Sequence, residues 1–383
     1  MSVRSLAQKA VLVLLGLVFA FTAGEVFLRV VYGGKFGKRP NFIVSDPVLG
    51  WKLTPGLDHT FYGADFSIDV RTDDEGHRLG ALGEVDYGKK LIIVCGDSNV
   101  FGWGVSTAET MPSFLDEKIN ESSGGAVRVV NLGVGSYGTL QYAISLGNFL
   151  RSHVDANIAA VVVVHAHNDP VDNIQSIGYH VGVWESFDRQ RKKRSFFHVV
   201  NLVDYALRLR SQTGETEDEL GRTAADGLDP YLRDVLFGFS FKLPKQIPSQ
   251  VTFDGHTIDM SDITELDFDK IKFLERGELT RIQRELVVAA VESIHRTLQG
   301  WNTTIIHTLL PTAPDWYLEE TVTLVDRAGP SAGNRVLNAG RVPTDIGDFT
   351  GEVFNAHAGR HFTPEFNLYW SSAVDSLLES LDL

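Results

Sequence analysis

The chain of 383 residues contains a single cysteine, Cys95. One cysteine excludes a disulfide within the chain, a cysteine-rich secreted scaffold and a zinc site built from cysteines. Cys95 lies at the end of an apolar run, and a lone cysteine in that position is usually a small buried side chain. We therefore expect it to belong to the core.

Basic residues are fewer than acidic ones. The chain has 35 Lys and Arg against 49 Asp and Glu, which gives a net charge of -14. Binding to nucleic acid phosphates requires a basic surface, so nucleic acid is excluded as a partner. Hydrophobic residues make up 43% and charged residues 22% of the chain. These proportions are those of a folded globular protein and argue against extensive disorder.

There is one long hydrophobic run, and it lies at the N-terminus. Arg4 and Lys9 precede an uncharged stretch from Ala10 to Gly24, and the apolar character resumes after Glu25. Counted from Leu6 to Leu28, the run is long enough to cross a bilayer. We predict a signal-anchor helix over residues 1–32 that is retained, with the rest of the chain exported to the periplasm or cell surface. Cleavage near Thr22-Ala23-Gly24 is the alternative.

The remainder divides by pattern into two parts. Residues 33–89 are rich in turn formers and short alternating runs, which predicts a β-rich lead-in. Residues 90–383 alternate strands and helices, with apolar strands beginning near Leu91, Val127, Ala159 and Trp301. This order predicts a three-layer α/β/α domain with a parallel central sheet, in which ligands bind at the carboxyl ends of the strands.

Regular alternation is lost between about residues 174 and 275. We interpret this stretch as a long insertion, either a lid or a region that determines substrate specificity. It contains the basic run RQRKKR, Arg189 to Arg194. Such a run is typical of a solvated loop, and contact with anionic lipid or polysaccharide is the alternative. Beyond the insertion, the pattern predicts a helix from Glu278 to Leu298 and a closing helix that follows Pro364.

Four segments carry residues suited to catalysis. Gly96-Asp97-Ser98 follows the first strand, where a serine hydroxyl would be exposed beside backbone N–H groups. A glycine-rich loop, Asn131 to Thr139, follows the second strand, and Asn168 follows the third. His361 precedes the closing helix and is of the residue type that serves as a base for a hydroxyl nucleophile. His165, His167 and Asp169 also raise the alternative of a metal site.

Taken in this order, GDS, the N-x-G loop, Asn168-Asp169 and HFTPE (His361 to Glu365) resemble the motifs of the GDSL/SGNH hydrolases. The resemblance covers roughly residues 90–173 and 278 to the end. The segments SDPVLGWKLTPG, GDSNVFGWGV and NLGVGSYGTLQ are similar to those of membrane-anchored bacterial members. The resemblance implies a flavodoxin-like α/β/α esterase that needs no metal and no organic cofactor.

Position by position, the resemblance implies that Ser98 is the nucleophile and His361 the general base. It implies an oxyanion hole formed by the N–H of Ser98, the N–H of Gly138 or Ser136, of which Gly138 is preferred, and the side chain of Asn168. Two positions depart from the family pattern. Ala358 stands where an Asp is expected, and Ala166 stands where a Gly is expected.

The missing acid leaves the third catalytic residue open. Asp348 and Asp345 are the nearest candidates in the sequence for the third catalytic residue. A Ser-His dyad oriented by a backbone carbonyl would also suffice for catalysis. The expected reaction is removal of an acyl group, with acetyl preferred, from an acylated polysaccharide or from another ester of small size. A polysaccharide O-acyltransferase with the same site and an inactive membrane-tethered binding protein are the two alternatives. Trp51, Trp103 and Tyr137 are candidates for stacking against sugars.

Overall fold

The computed structural model describes residues 3–36, 40, 42–62, 67–180, 196–203, 249–260, 278–301, 303–311, 319, 321–323, 335–338, 354–355 and 361–381. The helices are α1 (Val3–Phe36), α2 (Ser98–Phe101), α3 (Met111–Ser122), α4 (Thr139–Ser152), α5 (Asp169–His180), α6 (Glu278–Thr297) and α7 (Pro364–Glu379). The strands are β1 (Ile43–Asp46), β2 (Gly50–Leu53), β3 (Asp58–Tyr62), β4 (Ser67–Arg71), β5 (Lys90–Cys95), β6 (Val127–Asn131), β7 (Asn157–His165), β8 (Gln250–Phe253), β9 (His256–Asp259), β10 (Thr304–Leu309), β11 (Arg335–Asn338), β12 (Phe354–Asn355) and β13 (His361–Phe362).

The centre of the molecule is a parallel sheet with the strand order β11-β10-β7-β5-β6. Successive residues of a strand point to opposite faces, and here both faces are apolar. Leu91 and Ile93 of β5 belong to one core cluster, whereas Ile92 and Val94 belong to the other. A strand that is buried on both faces reads as a continuous apolar run, which is why these strands were recognisable from the sequence.

Helices cover both faces of this sheet and complete the three layers. α4 and α6 contact each other on one side, and α3 and α7 contact each other on the other side. The apolar stripe of α6 is buried from Leu286 to Ile294, and so is Leu298 directly after the helix. Trp370 of α7 is fully buried in the cluster that includes Ile92 and Val94. The mixed α/β fold with a parallel central sheet is therefore as predicted.

Residues 42–62 and 67–71 form two antiparallel hairpins, β1–β2 and β3–β4. Their side chains Trp51, Leu53, Phe61 and Val70 share one core cluster with Ile93 of the central sheet. The lead-in thus packs directly on the α/β part of the chain. Trp51, Trp103 and Tyr137 are all buried, so the idea that they stack against sugars is not supported by their positions.

The described parts of the stretch between 174 and 275 are in contact with other elements. The first of them continues helix α5, in which Ile174 is fully buried. The hairpin β8–β9 places Val251 and Ile258 in a cluster with Leu286 of α6. The basic run from Arg189 to Arg194 lies outside the described residues.

Helix α1 contains the stretch Gln8–Tyr32, whose mean hydropathy of 2.4 over its most apolar window and length of 25 residues are sufficient to cross a membrane. Only 11% of that window is buried within the protein. By length and composition the helix fits either a membrane anchor or a signal sequence.

Candidate active site

Ser98 lies at the junction between strand β5 and the short helix α2. Asp97 caps that helix, because its carboxylate accepts hydrogen bonds from the backbone N–H of Asn99 (2.8 Å) and from the Asn99 side chain. Gly96 is required by packing, since a Cβ there would overlap the side chain of Val100. As the first residue of the helix, Ser98 has a backbone N–H without an intrahelical acceptor.

His361 is positioned by a second local structure. It pairs with Asn355 in the two-stranded ladder β12–β13 and is followed directly by helix α7. Thr363 caps α7 by accepting the N–H of Phe366, and the rings of Phe362 and Phe366 stack with centroids 4.3 Å apart. The position of His361 is therefore fixed by the start of α7. The centroids of the His361 and Trp103 rings lie 6.3 Å apart.

These two elements bring Ser98 and His361 together. Nε2 of His361 lies 2.8 Å from Oγ of Ser98, although the residues are 263 positions apart in the chain. Asp97 Oδ2 is 3.4 Å from the same Oγ. The hydroxyl has one proton, and the shorter distance assigns it to the imidazole. A hydroxyl that donates to an unprotonated imidazole nitrogen is the arrangement from which general-base activation of serine proceeds.

In the glycine-rich loop, the N–H of Gly138, which was the preferred oxyanion donor from the sequence, has a partner within the chain. The backbone N–H of Gly138 donates to Oε1 of Gln141 at 3.1 Å. A Cβ at Gly138 would lie 2.7 Å from the backbone nitrogen of Asn173, so the glycine is required by helix packing. Ser136, by contrast, is half-buried and has a φ of 60°, a conformation that glycine usually adopts. We therefore favour Ser136 over Gly138 as the loop's N–H donor.

Asn168 is half-buried at the start of helix α5, beyond the carboxyl end of β7. Its side-chain nitrogen donates to Asp172 Oδ2 at 2.6 Å, one turn along the helix. That contact uses one of the two amide protons and fixes the orientation of the amide group. The other proton would be the donor to an oxyanion.

The histidines near Asn168 do not form a metal site. His165 is fully buried, and its Nε2 is hydrogen-bonded to Nδ1 of His307 at 2.9 Å. His167 is exposed. Asp169 is also fully buried and accepts hydrogen bonds from Tyr142 (2.7 Å) and from the backbone of Ala166 (2.9 Å). Among the residues that the structure describes, no group of three His, Cys, Asp or Glu side chains could hold a metal ion.

Burial of Asp169 has an electrostatic consequence. Desolvation, reinforced by the negative charge of Asp97, raises the pKa of Asp169 well above its ordinary value. The hydrogen bonds that Asp169 accepts from Tyr142 and from the backbone of Ala166 fix the loop that presents Asn168.

One important contributor was missed by sequence reasoning. Arg78 is buried, and its guanidinium donates to the carbonyl oxygens of Phe101, Gly102, Asp69 and Val105. It also lies over the ring of Phe101, 4.4 Å from the centroid. These contacts hold the segment directly after helix α2. No motif surrounds Arg78, so only the tertiary structure reveals its role.

The candidates for the catalytic acid, Asp348 and Asp345, lie outside the described residues, as does Ala358. Their assignment remains a prediction from the sequence.

No family model matches the chain, and none of the curated proteins matches at the significance required. Among solved structures, it is similar to a lipase/acylhydrolase from Enterococcus faecalis, with 11% identity, 76% of this chain and 96% of the other covered, and a TM-score of 0.34. It is similar to the psychrotrophic esterase EstA from Pseudoalteromonas sp., with 10% identity, coverage of 77% and 100%, and a TM-score of 0.34. A carbohydrate esterase shares 8% identity, with coverage of 81% and 69% and a TM-score of 0.36. At such identities and TM-scores, the assignment of a function depends on the geometry of the site itself.

Proposed function

We propose that the protein is an ester hydrolase of the GDSL/SGNH type with Ser98 as nucleophile and His361 as general base. The observation that carries this proposal is the 2.8 Å distance between Oγ of Ser98 and Nε2 of His361. Two turn structures that are far apart in sequence place these groups at one end of the parallel sheet. A lone N-capping serine would not require a buried histidine at hydrogen-bond distance.

The reaction follows from the positions of these groups. Ser98 Oγ attacks the ester carbonyl while its proton passes to Nε2 of His361. The negative charge that develops on the carbonyl oxygen is stabilised by the N–H groups of Ser98 and Ser136 and by the amide of Asn168. The imidazolium then protonates the departing alcohol, and water, activated by the same imidazole, releases the acyl group from Ser98.

For the substrate we propose an acetyl group carried by an extracytoplasmic carbohydrate. The support is the site together with the apolar helix α1, which would tether the domain to a membrane surface. Basic residues lie at both ends of the apolar run, with Arg4 and Lys9 at its start and Lys35, Lys38 and Arg39 beyond its end. The side of the membrane is therefore best tested directly, by adding protease to intact spheroplasts.

The test of the reaction is hydrolysis of p-nitrophenyl acetate by the full chain in detergent. We expect Ser98→Ala and His361→Ala to lower kcat/KM by at least 10³-fold, since each removes a member of one catalytic unit. Ser145→Ala and His256→Ala are matched controls on helix α4 and in the hairpin β8–β9, and they should retain activity. A fluorophosphonate should modify the wild-type protein at Ser98.

Two results would replace the proposal. If neither ester turnover nor labelling of Ser98 is seen, the inactive binding protein is the better description. If acetyl appears on an added sugar acceptor faster than acetate is released into water, the protein is an O-acyltransferase. Release of acetate from an O-acetylated polysaccharide, lost in Ser98→Ala, would support the proposed substrate class.

A further inference from the structure

Glu25 is the only acidic residue within the apolar stretch Gln8–Tyr32 of helix α1. A carboxylate in such a helix is costly in lipid unless its charge is paired and its oxygen atoms accept hydrogen bonds. Here the residue is only 8% exposed. Its side chain is paired with Arg29 one turn along the helix, at 2.8 Å.

The remaining partners of Glu25 come from a distant part of the chain. The backbone N–H of His198 donates to Oε1 and that of Val199 donates to Oε2, each at 3.0 Å. Residues 198–203 are helical, so these two N–H groups belong to a first turn that has no intrahelical acceptors. The carboxylate of α1 and the backbone at 198–199 therefore satisfy each other's hydrogen-bonding capacity.

Aromatic contacts strengthen this connection. The rings of Phe21 and Phe197 meet edge to face with centroids 5.6 Å apart, and the guanidinium of Arg29 lies 4.5 Å from the centroid of the Phe196 ring. The side chain of Val199 lies over Gly24, where an added Cβ would be in van der Waals contact with it at 3.7 Å. Residues 196–203 consequently pack along α1 over about two helical turns.

The outer surface of this packed pair is apolar. Phe196 is 59% exposed and Val200 46%, and Phe197 and Val203 are exposed as well. On α1, the side chains of Phe19, Val26, Phe27 and Val30 are also exposed, and the helical repeat places them on the side away from Glu25. Exposed apolar side chains on both elements are unfavourable in water, and lipid acyl chains would cover them.

We propose that residues 196–203 enter the same bilayer as α1, with Phe196, Phe197, Val200 and Val203 against lipid acyl chains, and that α1 is retained in the mature protein. Cleavage after Gly24 would leave Glu25 as the first residue, without the helix that holds its carboxylate against the N–H groups of His198 and Val199. With a rise of 1.5 Å per residue, Glu25 lies about 7–8 Å from the middle of Gln8–Tyr32, toward the catalytic domain. The embedded segment thus belongs to the leaflet on the domain side.

The experiment uses full-length protein in liposomes with a polarity-sensitive dye on Val200→Cys. Cys95 is buried and its thiol pKa is raised by burial to about 12, so it should not be labelled. The matched control is Val154→Cys, since Val154 is 68% exposed on the turn between α4 and β7. We expect lipids brominated on their acyl chains to quench the dye at residue 200 at least threefold more strongly than at residue 154. Aqueous iodide should show the reverse order.

The proposal would be overturned if iodide quenched the dye at residue 200 as strongly as the dye at residue 154 and brominated lipid did not quench the dye at residue 200. A second variant, Glu25→Ala, should reduce quenching at residue 200 by brominated lipid, while circular dichroism shows that the domain is folded. Unchanged quenching in that variant would contradict the role of Glu25. The intact mass of membrane-extracted protein should include residues before Gly24, and a mass that lacks them would refute retention of α1. None of these readouts depends on ester hydrolysis.

Discussion

His165 and His307 are hydrogen-bonded to each other across two neighbouring strands of the central sheet, with 2.9 Å between Nε2 of His165 and Nδ1 of His307. The other nitrogen of His307 lies 3.0 Å from Nε2 of His295 on helix α6. A neutral imidazole has one donor and one acceptor, so His307 donates to one neighbour and accepts from the other. The three rings form a hydrogen-bonded chain from the sheet toward the surface.

This chain makes the stability of the fold sensitive to acid. Burial lowers the pKa of His165 to about 3, and it lowers the pKa of His307 and His295 as well. Between the folded-state values and the unfolded value near 6.5, the unfolded chain binds more protons, so the free energy of unfolding decreases as the pH falls below about 6.5. Each such histidine contributes about 1.4 kcal/mol per pH unit. Asp169 has the opposite effect. Its pKa is raised in the folded chain, so its protonation increases the free energy of unfolding as the pH falls.

We therefore expect urea denaturation of the full chain in mild detergent to show a clear loss of stability between pH 6.5 and 4.5. His307→Gln should be less stable than wild type at pH 7.5 and should show a smaller loss over that range. His256→Gln, on the partly exposed hairpin β8–β9, is the control and should follow the wild-type curve. Identical pH dependence in His307→Gln and wild type would contradict this account.

Ser136 and Gly138 should respond oppositely to substitution. Ser136→Gly keeps the backbone N–H and relieves a positive φ, so we expect kcat within threefold of wild type and a gain of about 0.5–1 kcal/mol in stability. Gly138→Ala places a Cβ against the backbone of Asn173 and Asp169, so we expect a loss of about 2–3 kcal/mol. Thermal melts and ester turnover measure both. A loss of 100-fold in kcat for Ser136→Gly would show that the hydroxyl itself is needed.

Arg78→Met should be strongly destabilising. The substitution removes four hydrogen bonds from the guanidinium to carbonyl oxygens, and hydrogen bonds to a charged group are worth about 1.5–3 kcal/mol each. The carbonyls of Asp69 and Gly102 keep a second donor, from Thr107 and Val105, so the loss is smaller than the sum of the four. We expect the free energy of unfolding to fall by about 3 kcal/mol or more. Arg71→Met is the matched control, because Arg71 is only half-buried and its contact with the Gly80 carbonyl is 3.5 Å long. Equal effects of the two substitutions would refute the role of Arg78.

The acid partner of His361 can be identified by substitution. If Asp348, one of the two nearest candidates in the sequence, orients the imidazole, Asp348→Asn should lower kcat on p-nitrophenyl acetate by 10²-fold or more, whereas Asp345→Asn should have little effect. The reverse result would transfer the role to Asp345. Equal activity of both variants and wild type would favour a dyad oriented by a backbone carbonyl.

Much of the fold was predictable because strands β5, β6, β7 and β10 are buried on both faces and so appear as unbroken apolar runs. Helix α6 was predictable from its buried stripe for a similar reason. The position of Ser98 followed from its place at the end of β5. The loop donor was less predictable, since a row of glycines does not reveal that Gly138 is needed for packing against α5 while Ser136 adopts the positive φ.

The sequence by itself determined which strands are followed by candidate motifs, the burial of Cys95, the apolar N-terminal helix and the candidates Ser98 and His361. These features depend on residue type and local periodicity. Only the tertiary structure decided which distant groups meet. The 2.8 Å contact between Ser98 and His361, the four carbonyls around Arg78, the chain through His307 and the pairing of Glu25 with residues 198–199 all join segments far apart in the chain. Such contacts arise from the packing of whole elements, and no local pattern encodes them.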